Sequence, residues 1–178
     1  MIRHVKISAR LISLLIIGIC CTMSSSCFKM SYSTTGASIP VEAKTVSVQY
    51  FENMARNVEA SLSQQVTDAL RDYIQSNTSL TLVNGTGDVN FEGTITAYEP
   101  SRPVAITSGD EAAKNRFTIT LKVKFTCDVK PELDFESSFS RYEDYLSTND
   151  FENIKATATE EILKLLIEDI FNRAFVNW

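Results

Sequence analysis

The chain contains little histidine, glycine and proline. Its 178 residues include one histidine, 6 glycines, 4 prolines and 4 cysteines, and 44% of them are apolar. This composition excludes collagen-like, disordered and many-spanning membrane proteins. The net charge of -5 also argues against sequence-independent nucleic-acid binding, which needs a basic surface. The size and composition that remain are those of one globular domain.

The first 26 residues have the three-part layout of a secretory signal. They begin with three basic residues and no acid (Arg3, Lys6 and Arg10), and the apolar run Leu11–Cys21 follows. This run is too short for a membrane span, which needs about 20 apolar residues.

The end of this leader points to a lipid anchor. Met23 and three serines stand directly before Cys27, so the segment resembles a bacterial lipoprotein signal, in which the cysteine is acylated and becomes the first residue. We therefore predict a signal peptide over residues 1–26 and lipid attachment at Cys27. The alternative is a plain secretory signal cleaved near Ser26.

Loss of the leader changes the chemistry open to the mature chain. Three basic residues and no acid are removed, which leaves 14 Lys plus Arg against 22 Asp plus Glu, or -8 over 152 residues. His4 is removed too, so a Ser-His-Asp triad, a Cys-His pair and a His-containing zinc site cannot form. Once Cys27 is acylated, Cys127 is a lone thiol, and its strand position predicts a buried apolar role. We therefore expect that the protein is not an enzyme and that it has no cofactor and no metal site.

The mature chain reads as a tether followed by one domain. Residues 27–40 are rich in Ser, Thr and Gly, which predicts an irregular lead-in, and residues 41–178 contain no further linker. The predicted elements are a strand through Val46, Val48 and Tyr50, a helix over 57–76, strands over 80–84 and 89–98, strands over 117–129 and 135–145, and a helix over 150–175.

Three details belong to this prediction. Asn57 and Asn77 are expected to cap the first helix, whose apolar stripe includes Val58. The segment Asn84–Asp88 has the turn residues of a hairpin between the second and third strands. The apolar face of the last helix is expected to include Leu165.

The longest predicted strand has one apolar and one polar side. Phe117, Ile119, Leu121, Val123 and Phe125 alternate with Thr and Lys residues. The predicted fold class is therefore α+β: a two-layer sandwich in the order β-α-β-β-β-β-α, with both helices on one face of a four- to five-stranded mixed sheet. The opposite face would carry the polar stripe Thr118, Thr120, Lys122, Lys124 and Thr126.

Other motifs are weak. No glycine pattern of a phosphate-binding loop is present, and Asp110-Glu111 has no neighbouring base that would make it catalytic. Residues 100–115 are either a functional loop or an extension of the flanking strands. Arg116 and Arg141 lie near strand ends, where they either meet anionic lipid headgroups or form ordinary ion pairs.

Several segments together resemble a known family. They are Tyr32 to Pro40 (YSTTGASIP), Val46 to Asn53 (VSVQYFEN), Phe91 to Tyr98 (FEGTITAY), Asn115 to Thr126 (NRFTITLKVKFT), Phe139 to Tyr142 (FSRY) and Glu168 to Trp178 (EDIFNRAFVNW). In this order, after a lipoprotein signal, they resemble the lipopolysaccharide-assembly lipoprotein (LptE) family in its Bacteroidetes form.

The resemblance implies a non-enzymatic role at the outer membrane. Members of the family are anchored there by their acyl group, face the periplasm, plug an LptD-type β-barrel, help that barrel to assemble and bind lipopolysaccharide. From the residues themselves, Lys122 and Lys124, with Arg116 and Arg141, are the candidate contacts for lipopolysaccharide or the barrel. The alternative function is a generic periplasm-facing lipoprotein adaptor for another outer-membrane or secretion channel.

Overall fold

The computed structural model describes residues 39–104 and 113–176. These residues form a mixed six-stranded sheet with two α-helices packed against it, which confirms the predicted α+β class. The sheet has one strand more than expected, a two-residue strand before the first helix. The elements are β1 (Thr45–Val48), β2 (Glu52–Asn53), α1 (Leu62–Asn77), β3 (Thr81–Leu82), β4 (Val89–Pro103), β5 (Lys114–Cys127), β6 (Phe135–Leu146) and α2 (Phe151–Phe175).

The sheet combines a short parallel part with a long antiparallel part. The strand order is β3-β1-β4-β5-β6, and β2 also pairs with β4. Strand β1 is parallel to both β3 and β4, whereas β4, β5 and β6 form an antiparallel meander. The pairing of β4 with β5 contains two register shifts, and that of β5 with β6 is continuous.

Both helices cover the same face of the sheet. The apolar side chains of β5, from Phe117 to Phe125, are buried there as their alternation predicts. The ring of Phe175 in α2 packs 5.9 Å from those of Phe91 and Phe125, and Phe171 in α2 meets Tyr73 of α1 at 5.1 Å. These edge-to-face contacts join the two helices and the sheet into one apolar layer.

Helix α1 begins five residues later than predicted. Asn57 does not cap it: its side-chain amide donates a hydrogen bond to the carbonyl oxygen of Tyr98, 3.2 Å away. Val58 lies before the helix and is 68% exposed, so it is not part of the apolar stripe. Asn77 is the last helical residue, and Thr78 is the C-cap. Pairing of β2 with β4 and the hydrogen bond of Asn57 hold this part of the chain against β4, and the helix starts only after a turn at residues 60–61.

Helix α2 is close to its prediction. The carboxylate of Asp150 accepts a hydrogen bond from the backbone amide of Glu152, as an N-cap does. Ala158, Ile162, Leu166 and Ile170 are buried. The prediction that Leu165 lies on the buried face is wrong, since this residue is 39% exposed. The helix buries a wider arc instead, which adds Leu163, Ile167, Phe171 and Ala174.

The predicted hairpin between β3 and β4 is wrong. Strand β1 lies between these two strands, so residues 83–88 cross over β1. At the crossing, a β-carbon on Gly87 would lie 3.0 Å from the backbone nitrogen of Ser47, which is why a residue without a side chain is needed. The turn residues were recognised correctly, but turn chemistry serves a crossing loop as well as a hairpin.

The crossing loop closes one end of the outer sheet face. Ser47 and Asn90 point away from the helices and are nevertheless buried. The side-chain oxygen of Asn90 accepts hydrogen bonds from the hydroxyl of Ser47 at 2.7 Å and from the amide of Gly87 at 2.8 Å. The outer face over β4–β6 has no such cover among the residues that the structure describes.

The described part of the segment 100–115 is strand except for Val104 and Ala113. Strand β4 continues to Pro103, and β5 begins at Lys114. Asp110 and Glu111 lie outside the described residues, as do Cys27, the predicted tether up to residue 38, and Trp178.

Candidate partner-binding face

The predicted polar stripe lies on the sheet face opposite the helices. Even-numbered residues of β5 point to this side, next to the outward side chains of β4 and β6. We call this surface the polar face. Its members are Glu92 and Thr94 of β4, Arg116, Thr118, Thr120, Lys122 and Lys124 of β5, and Glu136, Ser138, Ser140, Tyr142 and Asp144 of β6.

Cross-strand ion pairs organise the polar face. Lys124 pairs with Glu92 on β4, with Nζ 3.3 Å from Oε2, and Lys122 pairs with Glu136 on β6. The hydroxyls of Thr120 and Ser140 lie 3.0 Å apart. The four charged side chains are 51–54% exposed, and ion pairs of this kind contribute little to stability. They can therefore exchange partners when another charged surface arrives.

Lys122 favours the ionised form of its acidic neighbour Glu136. The hydrogen bond from Lys122, and then its positive charge, lower the pKa of Glu136 below its usual range. The ionised carboxylate of Glu136 compensates the charge of Lys122. The centre of the polar face thus carries alternating positive and negative groups with no large net charge.

Arg116 is held more firmly than the lysines. Its guanidinium forms two hydrogen bonds with the carboxylate of Asp144, at 2.7 and 2.8 Å, and lies 3.5 Å from the ring centre of Tyr142. The hydrogen bond with Asp144 is the main cause of a raised pKa for Arg116 and a lowered pKa for Asp144. Of the two interpretations of Arg116, the structure shows an ion pair.

Arg141 lies on the other side of the sheet. As an odd-numbered residue of β6 it points toward α2, where it forms two hydrogen bonds with Asp169 at 2.6 and 2.7 Å. The structure therefore brings Arg116, Lys122 and Lys124 together on the polar face and separates Arg141 from them.

A shallow depression of about 490 Å³ adjoins the lysines. Tyr50 lies at its side and is 54% exposed, and the prediction that the first strand includes this residue is wrong. Strand β1 ends at Val48, and the alternation stops there. The depression is lined by Gln49, Tyr50, Glu52, Thr94, Lys122 and Lys124, among others.

Three further properties of the described residues concern metal binding, membrane spanning and the free thiol. No group of three or more His, Cys, Asp or Glu side chains could hold a metal ion in residues 39–104 and 113–176. No helix within the same ranges is long and apolar enough to span a membrane. Cys127 is buried as predicted, and burial raises the pKa of its thiol, which disfavours the thiolate.

Sequence reasoning missed the acidic half of the polar face. Glu92 and Glu136 lie on different strands from the lysines, and only the register Glu92↔Lys124↔Glu136 brings them together. Strand alternation indicates which side a residue faces but not its neighbour across the sheet. No signal in the sequence alone identifies these pairs.

The family model of LptE, described as lipopolysaccharide-assembly, matches residues 43–174, which cover the whole sheet and both helices except the last residue of α2. The chain belongs to the LptE family. The predicted resemblance is thereby confirmed, and with it the coarse function of a lipopolysaccharide-assembly lipoprotein from a non-enzymatic family.

Solved structures resemble this LptE-family chain at low sequence identity. A hypothetical protein from Chlamydia trachomatis has a TM-score of 0.52 at 7% identity, over 76% of this chain and 99% of that one, and shares its fold. A minor lipoprotein from Acinetobacter baumannii has a TM-score of 0.49 at 11% identity, over 74% and 91%. Lipoprotein B from Nitrosomonas europaea has a TM-score of 0.47 at 11% identity, over 79% of this chain and 86% of that one. No curated protein sequence matches the chain.

Proposed function

We propose that this LptE-family protein is an outer-membrane lipoprotein subunit of the lipopolysaccharide translocon. In this proposal, acylated Cys27 anchors it to the membrane facing the periplasm, and the folded domain plugs an LptD-type β-barrel and helps that barrel to assemble. The observation that carries the proposal is the polar face, which no described element covers while the opposite face is filled by two helices.

The chemistry of the polar face suits a barrel interior. The lumen of an outer-membrane barrel is polar, so a plug needs hydrogen-bonding and charged groups rather than an apolar patch. The polar face offers Thr and Ser hydroxyls between its Lys-Glu pairs. Because exposed ion pairs are weak, their members can bond to lumen side chains at small cost.

The same face supports contact with lipopolysaccharide. A Lys ammonium is a point charge on a flexible stem and pairs readily with a phosphate group. Lys122 and Lys124 lie on adjacent outward positions of β5, each held by one exposed acid. We propose them as the primary lipopolysaccharide contacts. Arg116 lies on the same face but is already bound to Asp144, so we propose it as a secondary contact. Arg141 is the weakest of the candidates because it faces α2.

The test is crosslinking from single positions in living cells. A photoreactive residue at position 122 or 124 probes the polar face, and one at Lys164, on the exposed side of α2, is the matched control. We expect positions 122 and 124 to capture a large β-barrel protein that also co-purifies in mild detergent. Capture of a different channel would favour the adaptor function, and loss of any barrel under conditions that preserve the complex would contradict both.

A further inference from the structure

The two edges of the sheet are very unequal. At one edge β3 has two residues, whereas at the other edge β6 has 12. Among the described residues, β6 pairs only with β5. A long strand with one unpaired side presents a row of backbone groups to which another strand can bond.

The hydrogen bonds fix which backbone groups are free. The amide of Ser147 donates to the carbonyl oxygen of Ala113 at 2.9 Å, so this pair bonds across the strands. Because the register from there through β6 is unbroken, odd-numbered residues of β6 bond to β5 and even-numbered ones point outward. No described residue bonds to the outward backbone groups of Glu136, Ser138, Ser140, Tyr142 and Asp144.

This edge lacks several of the usual features that protect against strand addition, although the exposed Glu143 lies on it. Strand β6 contains no proline and no lysine, and its pairing with β5 has no bulge. Two of its acids, Glu136 and Asp144, are drawn over the sheet toward Lys122 and Arg116. Their side chains therefore leave the edge open.

We propose that β6 accepts an extended segment of another protein as a seventh strand of the sheet. This goes beyond the proposed function, because it uses the backbone edge and not the polar face. Five consecutive outward residues are enough for a strand of ordinary length. Main-chain hydrogen bonds would supply affinity, and the side chains beside the edge would select the partner.

The surroundings of β6 define the chemistry of that partner. On the helix side, a partly buried Phe139 and the exposed Leu165 would adjoin the added strand, since Leu165 lies one turn before Asp169, which contacts β6. On the other side stand Ser138 and Ser140. The partner strand should therefore alternate apolar with polar residues.

Charge favours a basic strand and disfavours a second copy. Strand β6 contains Glu136, Glu143 and Asp144 against one arginine. Lys122 and Arg116 pair with two of these acids, and the exposed Glu143 has no ion-pair partner among the described residues. Two copies paired antiparallel about Ser140 would use all five outward residues, but they would place Glu136 opposite Asp144 at both ends. Like charges in directly opposite positions are destabilising. The occupant we infer is a basic, amphipathic strand from a different chain.

Amide hydrogen exchange of the full chain in mild detergent tests this proposal. The probe is a synthetic peptide with the sequence of residues 115–126 (NRFTITLKVKFT), which alternates apolar with polar residues and carries three positive charges. We expect its addition to slow exchange of the amides of residues 136, 138, 140, 142 and 144 by about tenfold or more. Amides of the odd residues, already bonded to β5, should change little.

Matched peptides separate edge pairing from general adhesion. N-methylation at the peptide positions equivalent to Thr120 and Lys122 removes amides that would point at β6, and protection should disappear. N-methylation at the neighbouring Ile119 and Leu121 leaves the pairing amides intact, and protection should persist. Equal behaviour of the two peptides, or no protection at all, overturns the proposal.

Two further readouts complete the test. Ser140→Pro removes one outward amide, which an edge strand tolerates, and should abolish protection, whereas Ser140→Ala should not. If the proline variant loses its fold, the N-methylated peptides still decide the question. Protection of the same amides in a chain that dimerises without peptide would overturn the inferred foreign occupant in favour of a second copy.

Discussion

Gly93 in β4 makes room for the ring of Phe51. A β-carbon at position 93 would lie 2.6 Å from the Cζ atom of that ring. Phe51 is fully buried, and its backbone amide donates a hydrogen bond to the hydroxyl of Thr67 in α1 at 3.1 Å. The ring is thus fixed between α1 and the sheet and has little freedom to retreat. This glycine is needed for space, not for an unusual backbone conformation.

Gly93→Ala should therefore destabilise the fold by about 1–3 kcal/mol through overpacking. Chemical denaturation of the variant measures the change in the free energy of unfolding. Phe51→Leu in the same chain should recover part of the loss, so the double variant should be more stable than the sum of the single changes predicts. Thr94→Ala, on the polar face next to Gly93, is the control and should stay within about 0.5 kcal/mol of the parent. Additive effects of the two core changes would contradict the packing argument.

Asp88 ties the crossing loop to the start of β1. Its Oδ2 atom accepts hydrogen bonds from the amides of Lys44 and Thr45 and from the Thr45 hydroxyl, at 2.8, 2.9 and 2.8 Å. The bond from the Lys44 amide is the largest cause of a lowered pKa for this carboxyl. A lowered pKa means that the stabilisation is present above about pH 4 and is lost as the pH falls through the folded value.

Asp88→Asn should consequently be less stable than the parent at pH 7, with a difference that narrows as the pH falls below about 4. Urea midpoints of both chains across this range measure the effect. Asp72→Asn, on the exposed side of α1, controls for the loss of a surface charge. Parallel curves for the parent and Asp88→Asn would show that these hydrogen bonds do not carry the pH dependence.

Alternation and helical spacing predicted most of the helices and strands. They could not predict which strands are neighbours in the sheet. The period of β5 placed Phe117 through Phe125 correctly, because that strand buries one full face. The order of β3, β1 and β4 depends instead on a loop that crosses over Ser47, and nothing local distinguishes it from a hairpin. The predictions for Tyr50 and Leu165 fail for different reasons. Tyr50 continues the alternation past Val48, where β1 ends, whereas Leu165 lies in the middle of α2 but outside the arc that packs on the core.

Only part of the polar face could be predicted from the sequence. The sequence indicated that Lys122 and Lys124 share one side of β5, because this follows from the alternation alone. Their partners Glu92 and Glu136, and the pairing of Arg116 with Asp144, follow from register across three strands. The same register separates Arg141 from the other candidates. The charge of Arg141 and its position near a strand end could not indicate this separation.

Cys127 should behave as an inert core residue. It is 1% exposed, and burial is the main cause of its raised thiol pKa, so both access and thiolate fraction are low. We expect a thiol reagent to label Cys127 only after denaturation. The variant Cys127→Ala provides the blank. Rapid labelling of the native chain at neutral pH, absent from that variant, would contradict the buried position.

The lysines of the polar face should matter for the partner and not for folding. In the double variant Lys122→Glu with Glu136→Lys, the ion pair is kept and its direction is reversed. We expect only a small loss of thermal stability, because exposed pairs contribute little and the lysine introduced at position 136 lies opposite Lys124. Recovery of the barrel and survival of cells on agents that penetrate a defective outer membrane should both fall. Lys164→Glu on α2 is the matched control, and an equal defect in both variants would indicate that the position on the polar face is irrelevant.

The anchor can be tested independently of the folded domain. Cys27→Ser removes the sulfur to which the acyl chain would be attached, and a serine cannot replace it in that bond. We expect the variant to accumulate as an unprocessed precursor or as a soluble form, measured by membrane fractionation and by the mass of the N-terminal peptide. Ser26→Ala keeps a small residue before the cysteine and should be processed normally. Membrane retention of Cys27→Ser with normal processing would contradict acylation at this position and leave a plain secretory signal.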